Sequence, residues 1–296
     1  MKHKKYSAAQ KTEIGFLISV FIIPAIHFLI LYVFVNINSF FLAFQTTKDD
    51  VTYWGFENFK TVFDSLFRAE NSVLLLALRN TVIWCVFGLF MYIPPMLTTY
   101  FVYKKVKGYK FIRIASILPT IIPGAAYVGF VKYVLAPNGV YGYLSENVFN
   151  KEALPLLNSS LYAMKTMLSY SFWIGLGFNL VWSGAMHQTP PEVLEAAQID
   201  GVTWFQELTR IIIPLMWPTL SVNLMFTAAG LLGSTGPIFL FTNGRYDTTT
   251  LSFWIFSEVT YNGNYEIAAA LGALMSCISI PLVFLVRRLA TKVEVY

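Results

Sequence analysis

Six long apolar runs, separated by short connections, constrain this chain more than any other feature of its sequence. A bilayer core about 30 Å thick takes roughly 20 consecutive apolar residues to cross as a helix. A chain of 296 residues therefore has room for about five to seven crossings. The runs lie near 14–44, 73–103, 111–135, 162–187, 212–241 and 266–287. Only 12% of residues are charged and 56% are hydrophobic, against roughly 25% charged in soluble domains. That balance excludes a disordered protein, a nucleic-acid-binding module and an ordinary cytosolic enzyme. The formal charge of +5 does not argue for nucleic acid, because the basic residues cluster beside the runs. The expected fold is all-α, a polytopic membrane bundle of six transmembrane helices in contact with lipid.

The first run follows Lys2, Lys4 and Lys5, the charge order of a secretory signal. A signal core spans only roughly 7–15 residues and precedes a small-residue cleavage site. This run is longer and ends in Phe40, Phe41 and Leu42 without such a site, so it reads as a retained first helix. The second run is overlong, which predicts a tilted helix or one extending beyond the bilayer. Pro94, Pro95, Pro119, Pro123, Pro218 and Pro237 interrupt the runs. A bundle tolerates such breaks where neighbouring helices satisfy the freed backbone groups. Cys85 and Cys277 fall in apolar runs with no CxxC or Cys/His cluster, so packing thiols are expected rather than a disulfide or zinc site.

Loop charges orient the bundle. Lys104, Lys105, Lys107, Lys110 and Arg113 crowd the second connection without an acid, and Arg287, Arg288 and Lys292 follow the last run. Short basic connections stay in the cytoplasm, as does the lysine-rich N-terminus. The connection at 45–72 mixes Lys48, Lys60 and Arg68 with Asp49, Asp50, Glu57, Asp64 and Glu70, which suits the outside. Six crossings satisfy every assignment; five or seven misplace one terminus. The expected division is a cytoplasmic N-terminus at 1–13, a first transmembrane helix at 14–44, an extracellular connection at 45–72, a five-helix core at 73–287 and a cytoplasmic tail at 288–296.

One cytoplasmic connection departs from the charge pattern. Residues 188–211 hold Glu192, Glu195, Asp200 and Glu207 against Arg210, and have little to gain from an anionic lipid surface. A protein partner accounts for them better. Thr189, three residues before Glu192, predicts a capping box; Pro190 and Pro191 suit a first turn, and Gly201 a left-handed terminator. The product is a helix of about three turns, too short to persist without packing. Thr203 and Gln206 repeat the capping pattern and open a second helix, expected to break at Pro214. Ala196 and Ala197 would admit another protein close to the helix backbone, while Glu195 and Asp200 offer it charge. A solvated interfacial helix joining two spans is the other reading of this pattern.

Glu195-Ala196-Ala197, Asp200-Gly201 and Ile211-Ile212-Ile213-Pro214 resemble the EAA motif of binding-protein-dependent ABC importer permeases in order, spacing and position before the penultimate span. Ile213 stands where Leu is usual, and Val202 where the Asp-Gly-Ala form has Ala; both remain apolar. Trp54-Gly55-Phe56-Glu57-Asn58-Phe59, Asn80-Thr81 and Gly177-Phe178-Asn179 look like shorter motifs of carbohydrate-uptake permeases of the MalF/UgpA kind. Thr242-Asn243-Gly244 resembles another, although Arg245 and Tyr246 replace its end. The resemblance implies a MetI-like permease core in a bacterial or archaeal cytoplasmic membrane. It implies a coupling loop at 188–214, in which Glu192, Glu195, Ala196, Ala197, Asp200, Gly201 and Pro214 engage an ATPase. It further implies a second homologous permease, two ABC ATPase subunits and an extracellular solute-binding protein. ATP and Mg would sit on the ATPase subunits, with no cofactor bound by this chain.

The residues themselves agree with a borrowed ATPase. No Gly-Lys dipeptide occurs, which excludes a Gly-x-x-x-x-Gly-Lys-Ser/Thr phosphate loop, and no Ser/His/Asp or metal-ligand constellation appears. His27 falls within a run and reads as a satisfied core histidine. No Asp or Glu lies mid-run, which disfavours a proton-coupled carrier; a sodium carrier built on carbonyl groups stays open. Arg79, Lys132 and Lys165 near the outer ends suit snorkelling.

A path without fixed charge suits a neutral solute. Sugars need uncharged hydrogen-bonding groups and flat apolar faces. The candidates are Tyr170, Trp173, Asn179, Trp182 and Ser183 in the fourth run, with Ser221, Asn223 and Thr227 in the fifth. Asn223 and Thr227 share a helix face. Such residues also join membrane helices or form interfacial belts. The function expected is an importer subunit for a sugar or oligosaccharide. A permease for an amino acid or peptide, or a secondary transporter, are the alternatives.

Overall fold

A computed structural model describes residues 8–48, 51–68, 72–233 and 235–292. Lys2, Lys4, Lys5, Asp49, Asp50 and Glu70, which entered the charge argument, lie outside the described residues. The chain forms two compact units, one drawn from Met1–Asp64 and Glu258–Leu274, the other from Ser65–Ser257 and Met275–Tyr296.

In the first unit, helix Ala8–His27 continues through a π-helical stretch, Phe28–Phe34, into Val35–Leu42. Its segment Glu13–Leu42 is 30 residues long and strongly apolar, with none of its most apolar stretch buried inside the protein. A helix apolar all round matches a lipid surrounding, not an aqueous one. The connection that follows is ordered: Gln45–Lys48 pairs antiparallel with Val51–Trp54, and helix Glu57–Phe67 comes next. Buried Asn58 donates from Nδ2 to the carbonyls of Ala43 at 3.1 Å and Gln45 at 2.6 Å, satisfying groups left open where the helix ends. Phe44 packs on Phe56 and Phe59 with ring centroids 5.3 and 5.0 Å apart.

Three segments are long and apolar enough to cross a membrane: Glu13–Leu42, Val73–Tyr103 and Tyr265–Thr291. The overlong second run is two helices, Val73–Phe90 and Ile93–Tyr103. Ser72 caps the first by accepting the Leu75 N–H at 3.2 Å, and Pro94 and Pro95 fall in the first turn of the second, where a missing N–H costs least. The other runs depart from straight crossings. The third is bent by 100° between Tyr109–Pro119 and Gly124–Asn147. Ile122, held extended at ψ 132° by the following Pro123, makes the corner.

The fourth run divides into Ala163–Gly175 and Leu180–Met186, each shorter than the roughly 20 residues of one crossing. The fifth was expected to continue from 212 to 241 but ends at Gly230, and Pro237 starts a separate turn, Ile238–Phe241. Among the described residues, up to five segments are long and apolar enough to cross a membrane if each bent pair counts as one, and the broken fourth run is not among them.

In the second unit a buried cluster joins Met96 and Tyr100 to Trp182 and Met186, and to Leu208, Ile212, Met216 and Leu220. Lipid is as apolar as these side chains, so close packing holds the cluster more than transfer from water does. The three methionines among them fit irregular gaps.

Candidate functional site

The acidic helix spans Pro191–Ile199. Its N-cap is Pro190, with no side-chain cap hydrogen bond, so the capping box expected of Thr189 and Glu192 does not form. Two consecutive prolines explain the correction. Pro191 disfavours helical geometry at Pro190, whose ψ is 133°, so Pro190 takes the N-cap position and the helix starts one residue later than the box requires. Thr189 is instead buried, with its Oγ1 lacking a hydrogen-bond partner among the described residues.

The other end follows expectation. Gly201 has φ +68°; its N–H donates to the Gln198 carbonyl at 3.2 Å and the Val202 N–H to the Ala197 carbonyl at 3.0 Å, a complete Schellman closure.

Glu192, Glu195, Ala196 and Ile199 are exposed, and their i, i+3, i+4, i+7 spacing puts them on one face. Asp200 is exposed beside them. Ala197 turns inward and is 5% exposed, so Ala196 alone of the pair lies open to a partner. Ile199, 86% exposed, was missed by the sequence reading.

Thr203 then caps the next helix as expected: its Oγ1 accepts the Gln206 N–H at 3.4 Å, and the Gln206 Oε1 accepts the Thr203 N–H at 3.0 Å. The helix opens into a π-helical turn over Glu207–Ile212, where the Ile213 N–H reaches back to the Leu208 carbonyl. Pro214 passes through helix Ile213–Leu215, and the break falls at Met216 instead. There the chain turns by 78° into Trp217–Gly230, whose first turn holds Pro218.

A cavity of about 500 Å³ opens in the second unit. Asn179, Trp182, Asn223 and Thr227 line it together, and among the described residues no charged side chain does. Asn179 also caps Leu180–Met186, its Oδ1 accepting the Trp182 N–H at 3.1 Å, while its own N–H donates to Thr99 Oγ1 at 2.9 Å. Asn223 Nδ2 donates to the Thr219 carbonyl at 2.9 Å. Thr227 shares a hydrogen bond with the Tyr92 hydroxyl.

The remaining candidates lie apart from this cavity. Ser183 is buried, and Ser221 bonds back to the Pro218 carbonyl at 2.9 Å. Tyr170 and Trp173 line a second cavity of about 480 Å³ with Tyr127, Tyr162 and Lys165.

The sequence reading missed the contribution of the second span. Trp84, Gly88, Met91, Tyr92 and Pro95 all line the first cavity, and their i, i+4, i+7, i+8, i+11 spacing was a usable signal. Trp84 and Trp182 are 6% and 4% exposed, and neither indole N–H has a partner among the described residues. Tyr92 stands 5.5 Å from Trp182 between ring centroids. Phe178 completes an aromatic wall, with the Arg113 guanidinium 5.5 Å from its centroid. Two amides and a threonine hydroxyl around apolar ring faces can bind hydroxyl oxygens and C–H surfaces together.

Asn80 and Thr81 hold the loop that follows Thr242-Asn243-Gly244. Asn80 Nδ2 donates to the carbonyls of Asp247 at 2.7 Å and Thr249 at 2.8 Å, and Thr81 Oγ1 accepts the Leu251 N–H at 2.9 Å. They clamp a loop with positive φ at Asn243, Gly244, Tyr246 and Asp247. Thr249 Oγ1 donates to the Gly244 carbonyl at 2.7 Å. A Cβ on Gly244 would stand 2.3 Å from the Phe253 ring, so only glycine fits.

No family model matches the chain. Curated relatives do. The galactooligosaccharides transport system permease protein GanP of Bacillus subtilis is 24% identical over 58% of this chain and 44% of its own length. The osmoprotective compounds uptake permease protein GgtC of Synechocystis is 23% identical over 88% and 94%. The diacetylchitobiose uptake system permease protein NgcF of Streptomyces coelicolor is 26% identical over 81% and 72%. This chain thus spans less than half the length of the first and nearly all of the second. Among solved structures, a bacterial ABC transporter involved in import of the acidic polysaccharide alginate matches with a TM-score of 0.79 at 24% identity, over 96% of this chain and 98% of that one. The alginate ABC transporter in complex with an alginate pentasaccharide-bound periplasmic protein gives 0.80 at 22%, over 97% and 98%. This chain has the helical permease fold of ABC importers and, in sequence, resembles the carbohydrate-uptake permeases of the MalF/UgpA kind.

Proposed function

We propose that the protein is a multi-pass transmembrane subunit of an ATP-driven importer, moving an uncharged sugar or oligosaccharide delivered by an extracellular solute-binding protein. The observation that carries the substrate class is the cavity lined by Trp84, Tyr92, Asn179, Trp182, Asn223 and Thr227 without a charged side chain. Aromatic faces suit the C–H surfaces of a sugar, and amide and hydroxyl groups suit its oxygens. The Glu192, Glu195, Ala196, Ile199 face is the docking surface for an ATPase, with Gly201 fixing where that helix stops. In this reading both termini and 188–214 are cytoplasmic. A second homologous permease completes the pathway, and two ATPase subunits hold ATP and Mg. Closure of the ATPase pair moves the docking helix, and the packed cluster of Leu208, Ile212 and Met216 with Met96 and Trp182 carries that movement to the cavity wall.

The test is ATP-dependent uptake of radiolabelled sugars by vesicles holding the full complex and its binding protein. Uptake of a neutral saccharide is the expected result. Transport of a charged amino acid or peptide, with no response to any sugar, overturns the substrate class. Failure to co-purify with an ATPase overturns the importer reading.

A further inference from the structure

Lys104 and Glu207 belong to different cytoplasmic connections in the sequence reading, one basic and one acidic. In the structure they meet. Lys104 ends helix Ile93–Tyr103, and its Nζ lies 2.9 and 3.0 Å from the two carboxylate oxygens of Glu207, which opens the π-helical turn after the Thr203 cap. The Glu207 side chain is 6% exposed and that of Lys104 is 27% exposed. A surface pair at this spacing would exchange readily with water and salt. A buried carboxylate cannot, because loss of its cation leaves an uncompensated charge in a poorly solvated place.

The two helices joined by this pair have different tasks. The Glu207 helix follows the docking helix directly, through Gly201. The Lys104 helix carries Pro95 in the cavity wall, just past Met91 and Tyr92. We propose that Lys104 and Glu207 are positioning residues for energy coupling: their ion pair ties the docking helix to the cavity wall so that the two move as one body. This rests on the importer reading above and assigns that reading a transmitting contact. Apolar packing already links these helices through Met96, Leu208, Ile212 and Met216, but methionine surfaces repack easily, and the ion pair limits that repacking. An ion pair with both oxygens engaged fixes the register between them.

The experiment uses the full complex with its ATPase subunits and binding protein in vesicles, and measures solute imported per ATP hydrolysed. Lys104→Met combined with Glu207→Leu replaces the pair with apolar side chains, which leaves no orphaned charge and preserves folding. Lys104→Glu combined with Glu207→Lys restores the pair in reverse. The apolar variant is expected to assemble and hydrolyse ATP but to import about 2- to 30-fold less per ATP, the span of a coupling contact; the reversed pair is expected to regain most of the ratio. Wild-type import per ATP in the apolar variant overturns the proposal. So does a reversed pair as uncoupled as the apolar one, or failure of both variants to assemble, which makes the pair a folding contact only. An unmodified complex that imports nothing with ATP counts instead against the importer reading beneath it.

Discussion

Asn179 carries two jobs that substitution can separate. Its Oδ1 caps Leu180–Met186 through the Trp182 N–H at 3.1 Å, and the residue also lines the cavity. Asn179→Ser keeps an equivalent cap, since serine and asparagine rank together at that position, but withdraws the amide from the cavity. Asn179→Leu removes both, and the lost cap costs about 1 kcal/mol of helix stability. A solute hydroxyl left without its partner costs about 1–3 kcal/mol, a rise of about 5- to 150-fold in the half-saturating concentration. The serine variant is therefore expected to melt like the parent in detergent while requiring much more sugar for half-maximal uptake. The leucine variant is expected to show the same transport defect and to melt earlier. Both are expected to retain the ATPase in pull-downs, because the docking face is untouched. Wild-type half-saturation in Asn179→Ser, together with a defective Asn179→Leu, would exclude a solute contact and leave Asn179 a cap alone.

Gly201→Val is expected to lower transport and solute-stimulated ATPase together, at a cost of about 1–2 kcal/mol for a β-branched residue at φ +68°; no neighbouring atom crowds the site, so Gly201→Asn, which tolerates that φ, should recover most of both activities. Glu195→Lys should weaken capture of the ATPase more than Glu195→Gln, because reversal adds repulsion to the loss of attraction; equal capture of both variants and the parent would place Glu195 in solvent. Asn80→Leu strips two hydrogen bonds from the Asp247 and Thr249 carbonyls and should destabilise the protein by about 1–3 kcal/mol, read as earlier thermal denaturation.

Local signals were the legible ones. Gly201 terminates its helix because a left-handed residue is needed there, and Thr203 with Gln206 completes a cap within four residues. Thr189 misled because Pro191 holds Pro190 extended and makes that residue the N-cap in its place. The Asn80-Thr81 motif was visible, but its meaning depends on carbonyls 167 and 169 residues away. Lys104 and Glu207, 103 residues apart, were read by net loop charge, a sum in which a matched buried pair disappears. The prolines that break the runs were equally plain. Nothing in a proline states whether a chain turns by 100°, as at Pro123, or passes through, as at Pro214, since neighbours decide how the freed carbonyls are met. Asn179, Asn223 and Thr227 of the cavity were found because polar residues stand out in apolar spans. The Trp84–Pro95 face was overlooked because aromatic residues in such spans look like packing.

The clamped loop after the fifth run has a practical consequence for anyone attaching a probe to this protein. Tyr246 and Asp247 are exposed, and exposure is the usual criterion for placing a cysteine and a fluorophore. Their φ values of 57° and 56° lie in the left-handed region, and Asn80 holds the Asp247 carbonyl at 2.7 Å, so a bulky label there presses on a constrained loop. A label there would report on a loop that labelling had altered. Arg245, between Gly244 and Tyr246, is exposed and is not among the positive-φ residues, and its hydrogen bond to Thr248 uses only the backbone carbonyl. A cysteine at that position would carry a dye without disturbing the geometry it is meant to observe.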